Sequence, residues 1–357
     1  MSGRTGEART YGIDLLRGVA CATVVLFHYL SRGPRERWMA MAPLPAVEAV
    51  ARYGYLGVHL FFMVSGYVIF MSAVGRSPRE FVASRVARLF PALWVAATIT
   101  MVLVVASHDV RFMVTWREYL WNLTLLPQYA GARYVDGAYW SLAVELQFYI
   151  LVWIALRLRL LDKVEWLLWG WLLIAFVDAL RPMDPVQRWL IADWAPLFVV
   201  GAATFRLASA GWSGQRCAML IVAMALALWH EMLHVRRLEI EWHGGGPDLA
   251  IVWGLLVIAA VVFVLTGLGR ITIGRSRWAT VPGALTYPVY LIHQFAGYVL
   301  FRALLARGVS PVAALCAIIV FAIGTGAALH YGVERPVAPW IRRRVSGQRS
   351  VLLSPVA

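Results

Sequence analysis

Apolar residues dominate this chain in long uninterrupted runs, and most polar residues are gathered between them. About ten runs reach roughly 17 to 25 residues, the length a helix needs to cross a hydrocarbon core of ~30 Å. They lie near 13–31, 53–74, 90–107, 138–158, 164–180, 189–207, 216–232, 249–268, 283–303 and 311–331. The pattern predicts an all-α polytopic membrane protein of about ten transmembrane helices. It forms one domain over 1–357, with a core near 11–336 and a basic tail over 337–357. The stretch WREYLWNLTLLP (116–127) is too short to span and reads as an interfacial or re-entrant piece. GGGP (244–247) is a flexible turn and, with no Lys-Ser/Thr behind it, not a phosphate loop.

Composition supports the membrane reading. Of 357 residues, 61% are hydrophobic and only 15% are charged, against ~25% charged in soluble domains. The 17 Trp and 14 Tyr suit a protein with two membrane interfaces. The net charge is +14, and Lys163 is the only lysine among 33 basic residues. The arginines are scattered among apolar runs instead of collecting on one soluble face, so the charge speaks for topology and against nucleic acid. With the N-terminus cytoplasmic, 19 basic residues fall inside and 13 outside. Both termini are then cytoplasmic, and Arg342-Arg343-Arg344 after the last run fits that orientation. Cys21, Cys217 and Cys316 each sit in an apolar run without metal spacing and read as small buried hydrophobes. The first run carries Arg17 and His28 and no cleavage site follows it, so it reads as a retained helix.

Ionisable residues inside spans are costly and mark function. Here they are Arg17, His28, His59, Glu145, Asp178, Asp193 and His293. Arg17 and His28 are about three helical turns apart, on one face and separated by ~16 Å along the axis. Asp14 is one turn before Arg17 and can pair with it. Counting ~1.5 Å per residue from the run ends puts His28, His59 and Glu145 at similar depths in the outer half, with His293 near the middle of its run. A His–Glu pair in a dry site can act as a general base with an orienting carboxylate. Arg85 and Arg88 share one face of a short helix at the membrane surface, with Pro91 opening the next span. Paired guanidiniums suit phosphate groups.

His230-Glu231-Met232-Leu233-His234 matches the H-E-x-x-H zinc signature. However, Ile240 stands where a third histidine would complete the longer motif, and no downstream glutamate follows on a second helix. His243 could at most complete a surface site. The segment therefore reads as a polar helix end whose His and Glu face water, and no metal is expected.

The pieces IDLLRGVACATVVLFHY, GYLGVHLFFMVSGYVIF, FVASRVARLFPALW, AYWSLAVELQFYI, LTYPVYLIH and GVERP, in that order, resemble the bacterial membrane acyltransferase family 3. The likeness runs from Tyr11 to about Pro336 and fits members without an added soluble hydrolase domain. It implies an integral O-acyltransferase of the bacterial inner membrane. An acyl group, acetyl by default, would pass from cytoplasmic acetyl-CoA or another acyl-CoA to a hydroxyl of a glycan or lipid-linked saccharide. Glycan-assembly machinery would be a further partner. By position, Arg17 and His28 match the family's Arg/His motif, Arg85 and Arg88 its Arg-x-x-Arg motif for acyl-CoA, and Glu145 the acid of its W-S-L-x-x-E segment. His28 would be general base or acyl relay, with Glu145 and Arg17 beside it. Asp14, His59, Ser65, Trp140, Ser141, Tyr287 and His293 would line the substrate path. A transporter with a His/Glu proton relay, and an acyltransferase for a small secreted metabolite, are the competing readings.

Overall fold

The computed structural model describes residues 2–42, 44–242, 245–273 and 277–346. His243, Arg275, Arg349 and the tail beyond Ser346 lie outside them. The described residues are helices joined by turns. The principal helices are α1 (Ser2–Phe27), α2 (Leu56–Ala73), α3 (Pro78–Ser107), α4 (Trp116–Asn122), α5 (Tyr139–Arg157), α6 (Val164–Leu180) and α7 (Ala195–Ala210). There follow α8 (Gly214–Glu241), α9 (Leu249–Gly267), α10 (Arg277–Ile292), α11 (Phe295–Ala306), α12 (Pro311–Leu329) and α13 (Arg335–Ser346). Eight of the described helices are long and apolar enough to cross a membrane, or nine if one bent pair counts as a span. The all-α polytopic architecture follows from the apolar runs.

Two runs differ from the expectation of simple spans. The run at 283–303 breaks into α10 and α11, which meet at 67° around His293 and Gln294. The run at 164–180 forms α6, whose 17 residues extend only ~26 Å. The predicted short stretch at 116 is the surface helix α4, started by a Thr115/Glu118 capping box. Trp116 and Leu120 on it are 71% and 60% exposed.

Arg85 and Arg88 are not on a separate surface helix. A Ser77/Glu80 capping box starts α3, which runs 30 residues straight through Pro91. A proline there removes one backbone donor, and the helix that starts at Pro78 is already in register when it reaches Pro91. The cysteine reading holds for buried Cys21 only; Cys217 is half-buried and Cys316 exposed on an outward face of α12.

Close helix contacts set the walls. α2 and α7 cross at Gly66 and Gly201, where a Cβ on Gly66 would strike Phe198 O and one on Gly201 would strike Met63 O. α1 crosses α10 where Gly283 faces Asp14, 2.7 Å separating a Gly283 Cβ from Asp14 Oδ1. α13 packs on the start of α3, and Arg79 Nε donates to Val345 O at 2.7 Å. The N-terminal half of α1, the start of α3 and α13 thus share one end of the bundle, rich in arginine.

At the opposite end, α1 runs into a π-helical turn, His28–Arg32. Glu48, on a short helix Pro45–Ala51, holds that turn. Its carboxylate accepts from Ser31 Oγ at 3.2 Å, from Arg35 Nη2 at 2.5 Å and from Arg52 Nη2.

Candidate active site

A cavity of about 380 Å³ lies between α1, α2, α3, α5, α7 and α10. Its polar lining is contributed mainly by Asp14, Arg17, Ser65, Arg85, Arg88 and Glu145. Phe61, Val64, Val68, Leu142 and Phe205 supply an apolar wall. Glu145 Oε1 accepts from Ser65 Oγ at 2.5 Å and from Tyr149 Oη at 2.7 Å. Ser65 and Glu145 are 80 residues apart, and they meet because α2 and α5 pack side by side. Tyr149 stands four residues after Glu145, one turn along the same helix face. That i, i+4 spacing in AYWSLAVELQFYI is the one sequence signal for the tyrosine, which the sequence motif by itself does not mark.

Arg17 Nη1 lies 3.6 Å from Asp14 Oδ1 and within electrostatic reach of Arg88 and Glu145. The Arg85 guanidinium sits 5.6 Å from the Phe81 and Tyr149 ring centroids. Its Nη2 donates to Ser84 Oγ at 2.8 Å, while its buried Nε has no partner. Arg88 makes no hydrogen bond or ion pair among the described residues. Burying cationic groups short of partners is costly, so these arginines are suited to an anion from outside.

A second cavity, about 510 Å³, opens at the arginine end. It shares Asp14, Arg17, Arg85, Arg88 and Tyr287 with the first and adds Arg335 and Arg342 from α13. Five guanidiniums face it against the carboxylates of Asp14 and Glu334. His330 Nδ1 is 2.8 Å from Glu334 Oε2 at its edge. Arg335 and Arg342 escaped the sequence reading because α13 folds back onto α3, a long-range contact that local spacing does not encode. Tyr287 is held in the shared wall by donating from Oη to Leu89 O at 2.7 Å.

The remaining predicted residues lie elsewhere. His28 is not paired with Glu145. It is 5% exposed, and its Nδ1 is 2.9 Å from Val24 O and 3.1 Å from His293 Nε2. This histidine pair sits behind Tyr290, whose Oη is 2.7 Å from Ser141 Oγ at the cavity lining. Counting depth along single helices put His28 and Glu145 in one layer, but packing gives each a different neighbour. His59 bonds to Glu231, Nε2 to Oε2 at 2.5 Å, and Tyr55 Oη donates to Glu231 Oε1 at 2.6 Å. Trp140 packs at a tilt against Trp194, ring centroids 5.2 Å apart, outside the polar lining.

The HEMLH segment is corrected by this geometry. It is not a water-facing helix end: α8 continues to Glu241, and Glu231 and His230 are 2% and 7% exposed. His230 Nε2 is 3.0 Å from Ala175 O, Glu231 turns to His59 and Tyr55, and His234 rests against Tyr55 and Trp194. Among the described residues no group of three His, Cys, Asp or Glu is placed to hold a metal ion. Asp178 is structural, accepting from Met183 N and Gln187 Nε2 at 2.9 and 2.8 Å.

A family model described as an acyltransferase domain matches residues 10–331. The chain belongs to that acyltransferase family. It is 24% identical over 315 residues to "Exopolysaccharide production protein ExoZ" of Rhizobium meliloti (strain 1021), covering 80% of this chain and 89% of that protein. It is 24% identical over 365 residues to "Putative membrane-bound transacylase BcsY" of Komagataeibacter xylinus, covering 92% and 86%. A 160-residue stretch is 29% identical to "Putative peptidoglycan O-acetyltransferase YrhL" of Bacillus subtilis (strain 168), covering 39% and 22%. No solved structure matches the chain. The protein is a membrane acyltransferase, and the two joined cavities are its candidate site.

Proposed function

We propose that this acyltransferase moves an acyl group, acetyl in the first instance, from acyl-CoA to a hydroxyl of an exported or cell-surface glycan. One observation carries the reading: the arginine-rich vestibule adjoins the largely apolar cavity through shared walls at Asp14, Arg17, Arg85, Arg88 and Tyr287. The shape suits a ligand with a polyanionic head and a slender arm. Arg85, Arg88, Arg335 and Arg342 would take the phosphates, and the pantetheine arm would enter the cavity toward Glu145 and Ser65. The start of α1 and the end of α13 at the arginine face, with this donor in the cytosol, would make that face cytoplasmic and place the protein in the bacterial inner membrane. The relatives named for exopolysaccharide and peptidoglycan support a glycan acceptor, with glycan-assembly machinery as a partner.

In this reading Glu145 and Arg17 set the charge around the thioester, and His28 is the base that takes the acceptor's proton. The base lies beyond the Tyr290/Ser141 pair, so donor and acceptor approach from opposite ends.

The test is transfer of label from acetyl-CoA in detergent-purified protein supplied with membrane extract. Label in a glycan or lipid-linked fraction, lost in His28→Ala and Glu145→Ala, is the expected result. A folded protein that binds no acyl-CoA in the presence of acceptor overturns the proposal.

A further inference from the structure

Two irregularities in otherwise regular helices meet inside the bundle. α1 turns π-helical at His28, and the α10–α11 span breaks at His293 and Gln294. Each defect frees backbone groups, which within a membrane need partners, and π-turns and broken spans recur at functional sites. Here the partners are built in. Tyr29 Oη donates to His293 O at 2.5 Å and Tyr139 Oη to Leu291 O at 3.1 Å. Asp136 Oδ2 accepts from Phe295 N at 2.8 Å at the start of α11. Tyr298 Oη donates to His28 O at 3.1 Å. The break and the π-turn are thereby fixed, and His293 is fixed against His28.

The proton positions follow from the acceptors. His293 Nδ1 lies 2.8 Å from Tyr290 O, and a carbonyl oxygen only accepts, so Nδ1 carries hydrogen. In the neutral ring His293 Nε2 is then an acceptor. It faces His28 Nδ1 at 3.1 Å, and that nitrogen also has Val24 O at 2.9 Å. Both neighbours demand a hydrogen on His28 Nδ1. The remaining nitrogen, His28 Nε2, bears the lone pair; it makes no hydrogen bond among the described residues and is not fully occluded.

We infer that His293 is a positioning residue that, together with the Val24 carbonyl, holds His28 in the Nδ1–H tautomer and so leaves Nε2 as the base. It stands where the carboxylate of a Ser-His-Asp triad stands, using a neutral acceptor in its place. Resting on the proposed acyl transfer, the step balances as follows. His28 Nε2 takes the acceptor's hydroxyl proton as the oxygen bonds to the thioester carbonyl carbon. The carbon–sulfur bond then breaks, and the proton passes from Nε2 to the departing thiolate sulfur. Throughout, His28 Nδ1–H donates to His293 Nε2, which supports the transient imidazolium.

The experiment compares His293→Leu and His293→Gln with wild type in the labelled transfer assay. It adds ¹⁵N-histidine NMR of the same preparations, with His28 assigned by difference from His28→Ala. Leucine offers no acceptor and should lower kcat by ~10²-fold or more, with KM for acyl-CoA within about twofold. Glutamine can place its carbonyl oxygen near the lost Nε2 and should recover at least about tenfold of that loss. In wild type the spectrum should show His28 protonated at Nδ1 and bare at Nε2. A folded Leu variant with more than half of the wild-type kcat, or a wild-type His28 protonated at Nε2, overturns the inference. Absence of transfer in wild type would sink the proposed reaction, and the NMR arm would still decide the tautomer.

Discussion

Glu48 is the side chain on which the π-turn most depends, and its removal has a cost that can be worked out. Its carboxylate is 6% exposed and gathers Ser31, Arg35 and Arg52, with Arg35 Nη2 at 2.5 Å. Hydrogen bonds to charged groups contribute ~1.5–3 kcal/mol each, and breaking a buried pair costs ~3–5 kcal/mol. The two arginine side chains are 24% and 23% exposed, so water recovers part of that loss. Glu48→Ala should therefore destabilise by about 2–3 kcal/mol, roughly 30- to 150-fold in the folding equilibrium. Glu48→Gln keeps the shape and one acceptor and should cost about half as much. Denaturant titration in detergent reads both, and a double-mutant cycle with Arg35→Ala should give a coupling of about 1 kcal/mol or more. Because Ser31 shares the turn with His28, Glu48→Ala should also slow acyl transfer in whatever fraction stays folded. A stability change below about 0.5 kcal/mol, the usual range for inert surface sites, would refute the buried-network argument.

Other outcomes follow from other parts of the molecule. Arg342→Gln and Arg88→Gln should each raise KM for acyl-CoA about tenfold or more with a smaller effect on kcat, as expected for lost phosphate contacts. Gly201→Val should destabilise by ~1–3 kcal/mol or more in a melting assay, because its Cβ has no room against Met63 O. At the surface, hydrogen bonds from Arg133 hold the Glu118 carboxyl down to about 2. A depressed folded value means the contribution is full above the ordinary carboxylate range and is lost as pH falls toward about 2. Glu118→Gln should thus melt slightly below wild type at pH 7, by ~1 kcal/mol or less, and the gap should close as the buffer is taken below pH ~4.

Much of the scaffold was legible because lipid leaves so little choice. A run such as 249–268 has to be a helix that satisfies its own backbone, and α9 occupies Leu249–Gly267. What the chain hid was pairing. His293 is 265 residues from His28, and no periodicity connects them. The break that brings them together is equally silent in the apolar run at 283–303. Glu231 was misplaced for a related reason. The apolar stretch ends near 232, but LHVRRLEIE continues as helix, its charged face outward, and carries the preceding glutamate into the interior. Arg17 and Glu145 were visible because a charge in an apolar run stands out by itself, and Arg85 by its spacing with Arg88, whereas Arg342 lay in the basic tail and Arg335 just before it.

The seam between α2 and α7 has a mechanical consequence. At Gly66 and Gly201 the two backbones touch, so neither helix can slide or tilt without carrying the other. That side of the cavity behaves as one rigid plate. Flexing for entry and exit then falls to the facing wall, where α10 holds Pro282 and Pro288 and ends at the 67° bend. The protein resembles a vice with one fixed jaw: the fixed jaw carries Ser65, and the jointed one carries Tyr290 and His293.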